Sequence, residues 1–395
     1  MSLWSEKRSI LITCARGVVS VLAGEIRALS FPVLSEGEAI VETEGKLSDT
    51  ILLNLSIRTG QRVLYFLKAF PAGNAQDLYR AVSDTAWEEL IRKDGYLSVT
   101  ATGDTTAVND SRFAAVKTKD AIVDRIRERK GRRPDSGPDR NAAVVHLHWT
   151  GAHARLYLDT SGEPLSRRGY RKIPLEAPMQ ETLAAAVLLT AGWKGEGNLV
   201  NPMCGSGTLA IEGALIALRR APGLLRGNFG FMHIKGFDEA HYGDTRRRLR
   251  TSAGKTLNGR IVATDIRPEA VEAARQNART AGVDKLIDFH ACDFRETPVP
   301  GGGGVVILNP EYGERMGEIN ALEGVYGAAG DFFKNQCRGY RGYIFTGNLG
   351  LAKKVGLRTS RRIPFYNGPI ECRLLEYELY EGSHKRPRDP ESTSA

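Results

Sequence analysis

Residues 198–218 read NLVNPMCGSGTLAIEGALIAL. A short apolar strand, Leu199 and Val200, runs into a turn made of Asn201, Pro202, Met203, Cys204, Gly205, Ser206, Gly207 and Thr208, and a helix begins there. Glycine lets the backbone turn tightly and lets a ligand approach it closely. Free N–H groups at a helix start suit an anionic group. Strand, glycine turn and helix in that order open an α/β nucleotide-binding unit. Alone the turn says little, because dehydrogenases and ordinary α/β loops share it.

The downstream segments narrow the reading. GRIVATDIRPEAVEAARQNARTAGV (259–283) is a strand that ends in Asp265, followed by a helix with Pro268 in its first turn. An acidic residue at the end of a second strand can accept hydrogen bonds from ribose hydroxyls. In a dinucleotide fold it lies ~20 residues after the glycines. Here Asp265 lies 60 residues after Gly205, so an insertion over roughly 219–258 is expected. A third strand, LIDFHACDF (286–294), ends in Asp293, whose carboxylate suits an adenine amino group. Each aspartate has a plain alternative as a helix N-cap or turn residue. Their order behind the glycine turn favours a cofactor pocket, with Ile266 and Phe294 beside them.

VVILNPEYGERMG (305–317) carries the chemistry. The apolar strand Val305 to Leu308 delivers Asn309, Pro310, Glu311 and Tyr312 to its carboxyl end, the edge where open α/β sheets bind ligands.

NPEY resembles the N-P-P-Y motif of methyltransferases acting on exocyclic amines of adenine, guanine or cytosine. With GEPLSRRGYR (162–171), EAPMQETLAAA (176–186), NPMCGSGTLAIEGAL, NPEYGER and YNGPIECRLLEYELY (366–380), the chain resembles the THUMP-containing class I RNA methyltransferases. It is most similar to the bacterial enzymes that make N2-methylguanosine in large-subunit ribosomal RNA. The resemblance is dense over about 110–380 and thin before that. It implies an α/β architecture: a Rossmann-like class I methyltransferase domain (165–383) preceded by a ferredoxin-like unit (1–55) and an α+β THUMP domain (56–164). A disordered tail (384–395) is expected after it.

The cofactor implied is S-adenosyl-L-methionine. The implied cofactor residues are Asn201, Cys204, Gly205, Ser206, Gly207, Thr208, Asp265, Ile266, Asp293, Phe294 and Asn309. The implied catalytic residues are Asn309, Pro310 and Tyr312. An aryl amine is a poor nucleophile because its lone pair is delocalised into the ring. The resemblance implies that the Asn309 side-chain oxygen and the Pro310 carbonyl accept hydrogen bonds from the amine and favour a pyramidal nitrogen, while Tyr312 stacks on the base. Positioning and electrostatics would then supply most of the catalysis, with no Cys or Ser nucleophile. The partner implied is RNA, ribosomal first and transfer RNA second. Two positions depart from the family pattern: Glu311 replaces the second motif proline, and Asn201 stands where relatives often carry Asp. Glu311 keeps open a different class, a catalytically inactive RNA-binding or ribosome-assembly factor.

Composition bounds these readings. The chain has 395 residues, enough for two or three domains. At 42% hydrophobic and 26% charged it has an ordinary globular balance. No apolar run approaches the ~18 residues of a membrane helix. The short stretch Ile10–Thr13 lies among Lys7, Arg8 and Arg16 and lacks a cleavage-site pattern, so a cytoplasmic protein is expected. The five cysteines form no C-x-x-C pair, and neither zinc nor a disulfide framework is indicated. His146 and His148 share a strand face, where a partly exposed surface is expected rather than a metal site.

A net charge of +9 and a pI of about 9.3 favour a polyanionic partner. Residues 111–140 hold ten Lys or Arg against five Asp or Glu, a local balance of +5. Further basic knots are Arg167/Arg168/Arg171/Lys172 and Arg246/Arg247/Arg248/Arg250.

The N-terminal periodicity predicts strands in SILITCA, AIVETEG, RVLYFLKAF and YLSVTATG, and a strand pair in AVVHLHW and ARLYLDT. It predicts helices in GVVSVLAGEIRAL, in AQDLYRAVSDTAWEELI, and in SRFAAVKTKDAIVDRIRERKG with an apolar stripe of Val116, Ile122, Val123 and Ile126. GRRPDSGPDRN reads as a loop.

Overall fold

The computed structural model describes residues 3–104, 110–175, 179–312 and 316–380, with side chains from 322 onward in the last stretch. Residues 176–178, 313–315 and the tail from 384 lie outside the described residues.

The first half of the chain builds one sheet. Its elements are β1 (Lys7–Cys14), α1 (Val19–Ala28), β2 (Ser35–Glu36), β3 (Ile40–Lys46), α2 (Asp49–Ser56), β4 (Gly60–Pro71), α3 (Ala75–Ser83), β5 (Tyr96–Thr102), α4 (Ser111–Lys130), β6 (Asp135–Ser136), β7 (Ala143–Thr150) and β8 (His153–Asp159). The strand order is β2-β3-β1-β4-β8-β7-β5-β6. β4 pairs with β1 on one side and β8 on the other, so the sheet runs unbroken past residue 56. Strand alternation puts the cross-strand row Ile10, Tyr65, Leu158 and Val145 on one face, where all four are buried. Helices α1 to α4 cover that face.

Two expectations in this half need correction. The helix read over 75–91 stops at Ser83. The chain turns so that Trp87 is buried, and its indole N–H donates to the Val82 carbonyl at 2.8 Å. In α4, Ile122, Val123 and Ile126 are buried, but Val116 is 51% exposed. Ala114, Thr118 and Ala121 complete the inward face instead.

Of the two histidines on the β7 face, His148 is exposed and His146 is buried, with its two ring nitrogens meeting the hydroxyls of Thr100 (2.8 Å) and Thr102 (3.1 Å). Burial, then Arg62, His148 and Arg140, push its pKa down from 6.5 to about 4. The unfolded chain therefore binds the proton first as pH falls. This ring's contribution is fully present above about 6.5 and lost on the way down to about 4. We expect stability to fall across that window by up to ~1.4 kcal/mol per pH unit from this group. His146→Asn should flatten thermal melts recorded over it, and an unaltered profile would refute the assignment.

The second half is a doubly wound sheet. It comprises α5 (Glu181–Thr190), β9 (Asn198–Pro202), α6 (Thr208–Ala217), α7 (Glu239–Thr251), β10 (Ile261–Asp265), α8 (Pro268–Ala281), β11 (Ile287–Ala291), β12 (Gly304–Leu308), α9 (Met316–Gln336), β13 (Tyr340–Thr346), α10 (Leu349–Ala352), β14 (Arg361–Asn367) and β15 (Ile370–Glu378). The order is β11-β10-β9-β12-β13-β15-β14, parallel from β11 to β13, with β15 antiparallel to both neighbours. Strand order reverses between β9 and β12, which opens a crevice at their carboxyl ends.

The expected insertion separates α6 from β10 and ties the halves together. Phe229 and Phe231 stack at 5.1 Å, and the Phe231 N–H donates to the Thr160 carbonyl. The Trp4 indole donates to the Lys235 carbonyl at 2.7 Å. Gly223 lies so close to α2 that a Cβ would sit 2.6 Å from Leu55 Cα.

Across the same seam, the Arg58 guanidinium donates to the carbonyls of Leu215 and Arg220. Arg168, 1% exposed, pairs with fully buried Glu212 and donates to the Leu165 and Arg58 carbonyls. The Arg167/Arg168/Arg171/Lys172 knot is therefore not a surface patch. Arg168 and Arg171 are turned inward, Arg167 pairs with Glu163, and Lys172 alone is exposed without a salt bridge among the described residues.

Candidate active site

The glycine turn leaves β9 through three left-handed residues, Met203, Gly205 and Gly207. The Cys204 N–H donates to Thr264 O of β10 at 2.8 Å, and the Gly207 N–H closes the turn on Cys204 O. At Gly207 a side chain is excluded twice: φ is +83°, and a Cβ would sit 2.8 Å from the Ala274 Cβ of α8. At Gly205 a Cβ would meet open space, so a ligand can rest on that backbone.

Asn201 is 1% exposed. Its Nδ2 donates to Ile307 O of β12 at 3.1 Å, while its Oδ1 is buried without a partner among the described residues. Ser206 and Thr208 are buried, and burial holds the Cys204 thiol in its protonated form.

Two supports of this turn escaped the sequence reading. Asn277 of α8 accepts from the N–H groups of Lys172 and Ile173 and donates to Ile173 O and Ser206 O. Arg171 donates to Thr208 Oγ1 at 3.0 Å and to Met179 O, and pairs with Glu181. An asparagine on the inner face of an otherwise alanine-rich helix was the available signal for Asn277.

Asp265 meets the turn directly. Its Oδ2 accepts the Gly205 N–H at 2.9 Å and its Oδ1 accepts the Arg267 N–H at 3.1 Å. Ile266 next to it is 68% exposed. The Cys292 N–H donates to Asp265 O, which brings Asp293 to the same edge. There Asp293 caps a short 3-10 turn through the Arg295 N–H and forms a two-pronged ion pair with the Arg295 guanidinium (2.7 and 2.8 Å). The Arg295 side-chain bonds hold its pKa below the usual carboxylate range. Asp293 thus caps this turn at the same edge, with its side chain 23% exposed. Phe294 packs edge-on against Phe332.

Asn309, Pro310, Glu311 and Tyr312 follow β12 at the crevice. The Tyr312 hydroxyl donates to Asn309 Oδ1 at 3.1 Å. Burial raises the Tyr312 pKa, which keeps the phenol a donor. The Tyr312 carbonyl accepts from Asn348 Nδ2 at 2.9 Å, and the Glu311 carbonyl accepts from the Tyr326 hydroxyl. Tyr326 also bonds buried Thr346 at 2.7 Å. A Cβ on Gly347 would lie 3.0 Å from the Tyr312 ring. Thr346, Gly347 and Asn348 therefore seat the loop. Their position at and just after the end of the apolar strand β13, on the same sheet edge, was the overlooked signal. Glu311 is exposed. An amide oxygen has two lone pairs, so the bond from Tyr312 orients Asn309 and leaves acceptor capacity for a second donor.

A parallel sheet with one reversed strand near its edge, a glycine turn bound to an acidic strand end, and an Asn-Pro-x-Tyr loop at the switch point define a class I methyltransferase fold. The chain belongs to the family of the RMKL-like methyltransferase domain, whose model matches residues 168–376. An RlmL ferredoxin-like domain matches 9–64 and a THUMP domain matches 72–159.

The ribosomal RNA large subunit methyltransferase K/L of Syntrophotalea carbinolica is 41% identical over 93% of this chain and 53% of its own length. The chain spans about half the length of the K/L relatives it matches. A Synechocystis protein provisionally designated an RNA methyltransferase is 36% identical over 94% of this chain and 97% of its own. Among solved structures, SMU.472, provisionally designated a methyltransferase and crystallised with S-adenosylhomocysteine, has a TM-score of 0.85 at 26% identity. It covers 96% of this chain and 100% of its own. A Listeria monocytogenes protein designated, by prediction, an N6-adenine-specific DNA methylase has a TM-score of 0.83 at 28% identity over 95% and 97%.

Among the described residues no helix is long and apolar enough to cross a membrane, and no group of three or more His, Cys, Asp or Glu could hold a metal.

Proposed function

We propose that this chain transfers a methyl group from S-adenosyl-L-methionine to the exocyclic N2 amine of a guanosine in structured RNA, ribosomal RNA before transfer RNA, in the cytoplasm. The observation that carries the reading is the Asn309 amide oxygen, oriented by Tyr312 beside the glycine turn and Asp265.

The cofactor fits the residues present. Asn201 Oδ1 is a buried acceptor without a partner among the described residues, Gly205 leaves room over its backbone, and exposed Ile266 offers an apolar rest beside a carboxylate. Asn201, the turn Cys204–Thr208, Asp265, Ile266, Asp293, Phe294 and Asn309 would hold it. Bound there, it supplies an electrophilic sulfonium methyl group. Asn309 Oδ1 and Pro310 O would accept the amine N–H groups and make its nitrogen pyramidal, and Tyr312 would fix the base plane. The base would have to leave its stack to reach this edge.

The names of the K/L relatives support ribosomal RNA, and the THUMP match supports an RNA partner. Arg129, Arg132 and Arg133 lie exposed at and just after the end of α4, without ion pairs among the described residues, which suits phosphates. The deciding experiment incubates the full chain with labelled S-adenosylmethionine and ribosomal RNA, transfer RNA or DNA, then analyses nucleosides by mass spectrometry. N2-methylguanosine in ribosomal RNA is expected. Methyladenine in DNA, or no transfer to any substrate, refutes the proposal.

Asp265→Ala is expected to weaken S-adenosylhomocysteine binding by ~1.5–3 kcal/mol, the worth of a charge-assisted hydrogen bond. The Gly205 N–H also loses its acceptor. Calorimetry showing unaltered affinity in a folded variant would remove Asp265 from the site.

A further inference from the structure

The basic knot at 246–250 divides once it is folded. Arg246 turns inward, donating to the carbonyls of Arg226 and Leu224 and to the Tyr242 hydroxyl. Arg247 pairs with Asp244, and Arg248 donates to Thr245. Arg250 has no hydrogen bond or ion pair from its side chain among the described residues. It lines a cavity of about 360 Å³ together with Arg220, Leu224, Leu225, Gly254 and Lys255. Lys255 is likewise unpaired among the described residues, and no carboxylate lines the cavity.

Two helices end near this cavity, and exposed helix-end carbonyls would repel an anion. Here they are engaged. Leu218 O accepts the Gly254 N–H, Arg220 O accepts the Arg58 guanidinium, and Arg250 O accepts the Ala253 N–H. Arg220 itself is held by the carbonyls of Ala281 and Gly282, which fixes its charge at the wall. One anchored and two free cations therefore face a space with leucine sides.

We infer that this cavity is a subsite for a phosphodiester group of the RNA substrate, with Arg250 and Lys255 as its mobile cations and Leu224 and Leu225 as a rest for the adjoining sugar. It rests on the RNA reading above. Arg220 follows the end of α6, a ten-residue helix that runs back from the glycine turn, so the subsite lies about 15 Å along that helix from the catalytic edge. Only a structured RNA that reaches round the catalytic domain would touch both.

The test measures binding of a labelled RNA hairpin to the full chain as a function of salt, with inorganic phosphate as a competitor. Arg250→Glu/Lys255→Glu is the variant. Arg250→Ala/Lys255→Ala is read if the reversal does not fold. Arg247→Glu, whose arginine is already paired, is the control. The log–log salt slope is expected to fall by about 0.7–0.9 for each phosphate that the variant no longer neutralises, and only the wild type and the control keep their slope. S-adenosylhomocysteine affinity should be retained throughout.

An unaltered slope in both double variants overturns the inference. So does loss of inorganic phosphate binding with the RNA slope intact, which would make this a site for free phosphate. Methyl transfer is assayed in parallel. Active transfer with an unaltered slope defeats the subsite alone, whereas a reduced slope without transfer to any RNA defeats the proposed reaction and leaves the subsite standing.

Discussion

Replacing Asn309 with alanine is expected to lower kcat by ~10²-fold or more while S-adenosylhomocysteine binds almost as before. The loss matches removal of one preorganised electrostatic partner of a transition state. Asn309 Oδ1 already accepts the Tyr312 hydroxyl, so its direction is set before substrate arrives. Its bond to the amine strengthens as the nitrogen becomes tetrahedral, and the effect therefore falls on kcat rather than on KM. Tyr312→Phe separates two roles of the tyrosine. It keeps the ring and removes the hydroxyl that orients Asn309, so a fall in kcat is expected with KM nearly constant. Tyr312→Ala also removes the stacking surface, worth ~1–3 kcal/mol per base, and should raise KM as well. Glu311→Pro restores the motif and keeps the backbone carbonyl that Tyr326 holds. It should retain or increase activity on the same nucleotide. A wild type inert on every RNA and active only as Glu311→Pro would identify a binding protein instead of an enzyme.

Glu212→Ala is expected to be the most destabilising single change, at ~3–5 kcal/mol, because it leaves the buried Arg168 charge uncompensated. Glu212 is fully buried in α6, 3.5 Å from the Arg168 guanidinium and 3.2 Å from the Tyr170 hydroxyl. Its second oxygen has no partner among the described residues, so the pair is far from ideally solvated by the protein. Replacing both members with apolar residues, Glu212→Leu with Arg168→Met, should recover most of the stability, since the desolvation cost disappears along with the attraction. Thermal melts of the wild type, the single variant and the double variant decide this. A single variant as stable as the wild type would mean that water reaches the pair. Because α6 starts at the glycine turn, the destabilised single variant should also lose cofactor affinity.

Local order along the chain determined much of this protein. The strand–turn–helix at 198–218, the acidic ends at 265 and 293 and the Asn-Pro-Glu-Tyr loop all follow apolar strands. Parallel strands must present their carboxyl ends on one edge, so their sequence order already implied a shared crevice. The 60-residue gap before Asp265 likewise required an insertion.

Tertiary structure alone decided which polar residues face inward. Arg168 and Arg171 look like surface charge in a basic run, yet Arg168 is buried and Arg171 is turned inward because Glu212, Glu181 and Thr208 come from helices that the sequence places elsewhere. Val116 looks like core, yet α4 meets the sheet through a face one step round the helix. Asn277 and Asn348 hold the two functional loops through side-chain hydrogen bonds to backbone groups far away in the chain, and Thr346 supports the second loop through the Tyr326 hydroxyl. Periodicity reports which face of an element is apolar. It carries no information on which distant backbone group will need a partner, and that pairing is fixed only when the sheet closes around the site.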